Sequence, residues 1–238
     1  MNNQNVPKKS YIRCKIFTKS PFDTREGRSR YAYENFKQYY GKSVLDIGGY
    51  QGALGKVFKG KYTNIDLDES ADLVLNLDKI ERLPFEDKSF DTVVATDVLE
   101  HLEHFHLIFD EICRCASKYI IISLPNQYSY FQSRLDKGFG SNKHLGLPVE
   151  VPKDRHRWFF SFIEANEFIK ERGARNNFEI EICEPHIIRS ASAITKGLIT
   201  IRDIVDQIRF GKMTEEKYIN SYASIVWWVL KIKQTKIK

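Results

Sequence analysis

The chain has 238 residues, 42% of them hydrophobic, and a net charge of +6. That length buries one sizeable core, so a single globular domain with embellishments is expected and a disordered or fibrous chain is excluded. The longest apolar run, Ala223 to Leu230, is far too short to cross a bilayer, and the polar start from Met1 to Asn5 predicts no ordinary signal peptide.

Residues 1–40 carry nine Lys or Arg against Asp23, Glu26 and Glu34, which is the whole of the excess charge; the rest of the chain balances to zero. Four further lysines, Lys231, Lys233, Lys236 and Lys238, stand near the other end. Basic ends on a neutral body suit nucleic acid, anionic lipid or a phosphorylated substrate, or simply aid solubility. Cys14, Cys113, Cys115 and Cys183 show no metal-type spacing, and free thiols in a reduced cytoplasmic setting are expected.

In chain order, residues 1–25 read as an irregular lead-in. Arg28–Tyr40 has the pattern of a helix, with Tyr31, Phe36 and Tyr40 near one side and Gly41 as terminator. Ser43–Ile47 is a short buried strand that ends in a glycine turn, Gly48 to Gly52, with a helix expected over Ala53–Lys59. Strands follow at 62–66, 73–75, 91–96 and 119–124, with a helix over 105–116 whose Phe105, Ile108, Phe109 and Ile112 point inward. After Pro125 the rhythm changes. Residues 127–156 read as a long functional loop, followed by a helix at 161–172, a strand at 178–183, an amphipathic helix over 194–210 and a closing strand at 224–232.

Strands alternating with helices in this way specify an α/β fold: a doubly wound, seven-stranded, mostly parallel, Rossmann-like sheet. The expected organisation is a basic lead-in over 1–27 and one domain over 28–238, with substrate-side insertions at 127–156 and 190–220.

In such a sheet a ligand sits beyond the carboxyl ends of the strands, where the strand order reverses. Asp46, Asp66, Asp78 and Asp97 fall at successive strand ends. Carboxylates there suit a ligand with hydroxyls and amines and suit a pyrophosphate poorly. A dinucleotide turn wants G-x-G-x-x-G, whereas this chain has Asp46-x-Gly48-x-x-x-Gly52.

The runs VLDIGGYQG, NID, LPFEDKSFD and VVATDVLEHL resemble the class I S-adenosylmethionine-dependent methyltransferases, in the branch with the D-V-L-E-H-L signature. The resemblance is strong over about residues 40–126 and weaker beyond, through SLPN and the run from His156 to Ser161. It implies an enzyme with S-adenosyl-L-methionine as cofactor. Asp46, Gly48, Gly49 and Gly52 would form the methionine-side turn, Asp66 with Leu67 would hold the ribose, Leu77 and Asp78 would flank the adenine, and Asp97 and Val98 would lie beside the sulfonium. The family usually has glycine where this chain has Tyr50, which would either cover the cofactor or weaken its binding.

The candidate catalytic residues are His156 and His101. His156 lies where this fold forms its substrate pocket, and its ordinary pKa suits proton removal near neutrality; packing against Trp158 is the alternative. His101 would serve as a base or hold its loop. Asp97, Glu100, His101 and His104 have the spacing of one helical face, a pattern shared by divalent-cation sites and by solvated helices, and no metal site is assigned. The expected reaction is methylation of an O or N nucleophile on a small molecule or glycan. The alternatives are an RNA methyltransferase that uses the basic ends and a non-catalytic binding protein on the same fold. Weak contact with a membrane surface through the 194–210 helix is a further expectation.

Overall fold

The computed structural model describes residues 11–138, 144–150, 152, 154–188, 204, 208, 211 and 213–233. Its strands are β1 (Lys15–Phe17), β2 (Ser43–Ile47), β3 (Lys61–Asp66), β4 (Leu73–Val74), β5 (Phe90–Thr96), β6 (Ala116–Pro125), β7 (Phe178–Ile188) and β8 (Ala223–Ile232). The helices are α1 (Arg25–Phe36), α2 (Phe105–Cys115), α3 (Gln127–Asp136), α4 (Phe162–Asn176) and α5 (Glu215–Tyr222).

All eight strands join one sheet in the order β1-β7-β8-β6-β5-β2-β3-β4. Every pairing is parallel except those of β8, which runs antiparallel between β6 and β7. The strand beyond the expected seven is β1, drawn from the lead-in and paired with the end of β7.

Alternation along the central strands feeds a core on each face, because successive side chains point to opposite sides. Leu45, Ile47, Val93, Ala95, Ile120, Ile122, Trp228 and Leu230 pack with Phe109, Ile112 and Ile169 from α2 and α4. Their neighbours Val44, Val94, Ile121, Trp227 and Val229 pack on the other face with Ala32 and Phe36 of α1 and with Leu54 and Phe58.

Three expectations are corrected. Residues 53–57 form turns and 58–59 are irregular, with Val57 and Phe58 N–H groups both donating to the Leu54 carbonyl, and there is no helix; Gly55 inside so short a stretch disfavours a helical nucleus. The first helix begins at Arg25, where Thr24 Oγ1 accepts from Gly27 N at 3.0 Å and caps it. The stretch read as a loop after residue 126 opens with α3, capped by the Asn126 side chain. The helix expected over 194–210 lies, apart from residues 204 and 208, outside the described residues.

The topology places the crevice. The chain runs outward from β2 through β3 to β4, then returns to lay β5 on the other side of β2. The carboxyl ends of β2 and β5 therefore diverge, and a cleft opens between them.

Candidate active site

A cleft of ≈ 420 Å³ lies at that switch point. One wall is the glycine turn after β2. Gly48 has φ +68°, and a Cβ there would stand 2.5 Å from Val98 Cγ2. At Gly49 a Cβ would meet Asn64 Oδ1 at 2.4 Å and Asp46 Oδ2 at 2.5 Å. Only glycine lets this backbone press against both β3 and β5.

Of the residues expected to hold the cofactor, Gly48, Gly49, Asp66, Leu67, Leu77, Asp78, Asp97 and Val98 all line the cleft. Asp46 and Gly52 do not. Asp46 is 3% exposed and sits beneath the turn, where Tyr62 OH donates to its Oδ2 at 2.7 Å. Burial pushes its carboxyl up to about 7, against the Tyr62 hydrogen bond, which lowers it. The N–H of Gly52 donates to the Gly49 and Tyr50 carbonyls, closing the turn from behind.

Asp66 accepts from Tyr50 N at 2.8 Å on Oδ2 and from Asp68 N at 3.0 Å on Oδ1. Each oxygen keeps a lone pair, so the carboxylate presents two acceptors to a vicinal diol. Asp78 Oδ1 accepts from the N–H of His104 at 3.3 Å. Asp97 is fixed on both oxygens, by Ser123 Oγ–H at 2.7 Å and by Arg28 at 2.9 Å.

Tyr50 and Asp97 face each other across the mechanics of the cleft in one respect: both are non-glycine residues in the left-handed region, at φ +47° and +48°. The Tyr50 ring carries the Arg25 guanidinium 4.8 Å from its centroid. Arg25 and Arg28, both from the first turn of α1, line this cleft and a second cavity beside it. They are the residues sequence reasoning missed; the concentration of charge in residues 1–40 was their only signal.

The second cavity, ≈ 550 Å³, adjoins the first through Arg25, Arg28, Asp97, His101 and Asp154, which line both. Both candidate catalytic histidines are here. His101 Nδ1 lies 3.1 Å from the Arg155 carbonyl and its Nε2 3.4 Å from Asp154 Oδ1. His156 Nδ1 lies 2.7 Å from Gln127 Nε2, and its ring stacks on His144 at 4.5 Å. Burial, then the neighbouring His101 and His144, lower His156 to about 4.

Asp97, Glu100, His101 and His104 do not share a helical face. Residues 99–101 form a single tight turn, and α2 begins only at Phe105. Glu100 and His101 are instead joined by His156, each offering a side-chain ligand atom within 4.8 Å of the others. Glu100 is buried, and its Oε2 has no hydrogen-bond partner. Burial first, then Asp97 nearby, raises its carboxyl well above the usual range.

No helix among the described residues is long and apolar enough to cross a membrane. The family described as "Methyltransferase domain" matches residues 24–181. No curated protein matches the sequence. Among solved structures, the MccD protein is similar with a TM-score of 0.52 and 18% identity, over 87% of this chain and 97% of that one. An S-adenosylmethionine-dependent methyltransferase from Thermotoga maritima, described as a possible histamine N-methyltransferase, gives 0.51 and 15%, over 86% and 91%. Another S-adenosylmethionine-dependent methyltransferase, from Archaeoglobus fulgidus, gives 0.50 and 16%, over 87% and 94%. At these identities the structural likeness shows the fold, and the family match covers most of the chain, the cleft at the switch point included. The chain belongs to the methyltransferase domain family and has the fold of these S-adenosylmethionine-dependent methyltransferases.

Proposed function

We propose that this enzyme methylates an oxygen or nitrogen nucleophile of a polar small molecule or glycan, with S-adenosyl-L-methionine held in the cleft at the β2–β5 switch point. The observation that carries this reading is the pair of adjoining cavities with a shared wall at Asp97, His101 and Asp154. One has the glycine turn and the strand-end carboxylates that fit a nucleoside and an amino-acid tail. The other has the size of a small-molecule site and is lined by Asn126, Gln127, Ser129, Gln132 and Ser133, side chains that hydrogen-bond hydroxyls and amines.

The residues that would hold the cofactor are Gly48, Gly49, Asp66, Leu67, Leu77, Asp78, Asp97 and Val98. Asp66 would take the ribose hydroxyls on its two free lone pairs, and exposed Leu67 with buried Leu77 would flank the base. When bound, the cofactor supplies a methyl group already activated on a sulfonium. The chain's part is alignment and exclusion of water, which can lower a barrier by about 7–11 kcal/mol. Arg28 does this on the shared wall by fixing Asp97, and α1 carries it there. Four cysteines outside any disulfide accord with a cytoplasmic enzyme.

Calorimetry with S-adenosylhomocysteine tests the cofactor assignment. Asp66→Ala is expected to weaken binding at least tenfold without unfolding the chain. Binding equal to wild type would sink the assignment. Transfer of a tritiated methyl group to a panel of phenols, amines and sugars, with RNA included, then tests the acceptor class; label recovered in RNA alone would overturn it.

A further inference from the structure

The end of the larger cavity nearest the cofactor cleft holds three imidazoles, and their hydrogen-bond partners decide where each carries its proton. His101 Nδ1 faces the Arg155 carbonyl at 3.1 Å and His144 Nδ1 faces the Asp154 carbonyl at 3.0 Å. A carbonyl only accepts, so both rings are protonated on Nδ1. His156 differs. Its Nδ1 is 2.7 Å from the Gln127 side-chain nitrogen, while the Gln127 oxygen accepts from the backbone N–H of Phe160 at 3.0 Å. A backbone N–H cannot accept, so the amide has one orientation and its NH2 faces the ring. Nδ1 of His156 is therefore the acceptor, and the neutral ring carries its proton on Nε2.

Held this way, the neutral His156 ring presents an N–H at Nε2 and has no lone pair there to receive a proton. The Nε2 of His101 is turned to Asp154 Oδ1, 3.4 Å away, and meets that carboxylate only as an N–H donor, so it offers no lone pair either. Asp97 is held by Arg28 and Ser123, and Asp154 faces His101 and His144, so the carboxylate left is Glu100. It is 1% exposed, it lines the cavity, and its Oε2 is without a partner. Asp97, Asp154 and Arg28 are the charges that act on it, and one of its oxygens lies within 4.8 Å of a ring nitrogen from each of His101 and His156.

We propose that Glu100 is the catalytic proton acceptor of this cavity, and that Gln127 is the positioning residue that holds His156 as an N–H donor beside it. The proposal rests on the methyl-transfer reading above. As the nucleophile bonds to the methyl carbon, the carbon–sulfur pair stays on sulfur; the nucleophile's O–H or N–H bond breaks, and its proton passes to the Glu100 carboxylate, which lines the cavity. The charge balance needs no other reactant.

The test is nitrogen-15 NMR of the histidines in the full chain, with His156 assigned from a His156→Phe variant. Wild type is expected to show His156 neutral and protonated on Nε2 from pH 6 to 8. Gln127→Glu presents acceptors to both the ring and Phe160 N–H, and is expected to move the proton to Nδ1. A wild-type ring protonated on Nδ1, or no change in Gln127→Glu, would overturn the proposal. Joint perturbation of the His101 and His156 signals by one equivalent of Zn²⁺ would also overturn it, by making the cluster a metal site.

On the acceptor found with the tritiated methyl group, Glu100→Gln is expected to lower kcat by about 10²–10⁴-fold, with S-adenosylhomocysteine affinity within threefold of wild type. An unchanged kcat, or an equal loss of cofactor affinity, would refute the role of Glu100. A chain that binds no S-adenosylhomocysteine would refute the methyl-transfer reading, while the tautomer result would stand on its own.

Discussion

At Tyr50 the backbone takes a left-handed turn that glycine adopts without cost and a β-carbon resists by about 1–2 kcal/mol. The turn is kept because the Tyr50 N–H must reach Asp66 and its carbonyl must receive the Asn64 side chain at 2.7 Å. The ring recovers part of the strain through Arg25, a contact worth about 0.5–1 kcal/mol at an exposed site. Tyr50→Gly is therefore expected to melt at or above the wild-type temperature, and Tyr50→Ala below it, since alanine keeps the strain and loses the ring. Equal melting of the two variants would mean that the turn is unstrained.

Asp46 makes a second residue-scale prediction. Its folded carboxyl is raised from 3.8 to about 7 by burial, so between these values the folded chain holds a proton that the unfolded chain has released. Stability from this group is then fully present below pH 4 and is lost as pH rises to 7, by an amount on the order of 4 kcal/mol. Asp46→Asn cannot ionise and keeps an acceptor for Tyr62. Its urea midpoint should fall less than that of wild type from pH 5 to 7, and parallel midpoints would refute the shift. The glycines and strand-end acids of the cleft were legible in the sequence because each acts within a few residues of itself. Arg28 on Asp97, Gln127 on His156 and Asp154 on His101 were not, because folding alone brings those partners together.

Among the elements, α4 shows most plainly why local signals work. Ser161 Oγ accepts from Glu164 N at 3.3 Å while Glu164 returns to Ser161 N at 2.8 Å, a reciprocal cap, and the helix closes on Asn177 in the left-handed conformation. Ser161→Ala should cost about 1 kcal/mol, a fall in melting temperature of about 2–4 °C; no change would show that tertiary packing alone holds the helix start. The same cap tethers the His156–Phe160 segment, whose Phe160 N–H orients Gln127. Where an element was misread, local pattern lost to context. Residues 53–59 have apolar spacing for a helix, yet a Cβ on Gly55 would stand 2.7 Å from the Tyr62 ring, which shows how closely this turn is drawn against β3.

Over the whole molecule, β8 lies between β6 and β7 and feeds the core on both faces of the sheet. Trp227 and Trp228 of β8 are almost wholly buried on opposite faces of the sheet. Each change to alanine should cost about 3–5 kcal/mol, and in a single cooperative unit either variant should shift the entire urea transition. A biphasic curve for one of them would instead divide the faces into separate units. The parallel order of β2 to β6 followed from the alternation of strands and helices. The place of β8 did not, because its apolar run reads the same in either direction and nothing local says between which neighbours it inserts.

That insertion has a consequence for how the chain is made. Among the described residues, β1, the first strand in the chain, pairs only with β7, and β7 reaches the rest of the sheet only through β8. While residues 223–232 are still inside the ribosome, the half of the sheet from β2 to β6 can assemble, but β1 and β7 have no place on it. The lead-in to α1, with Arg25 and Arg28, is thus anchored at its β1 end only after β8 has emerged, so the wall between the two cavities is completed late in synthesis and the cleft at the β2–β5 switch point early.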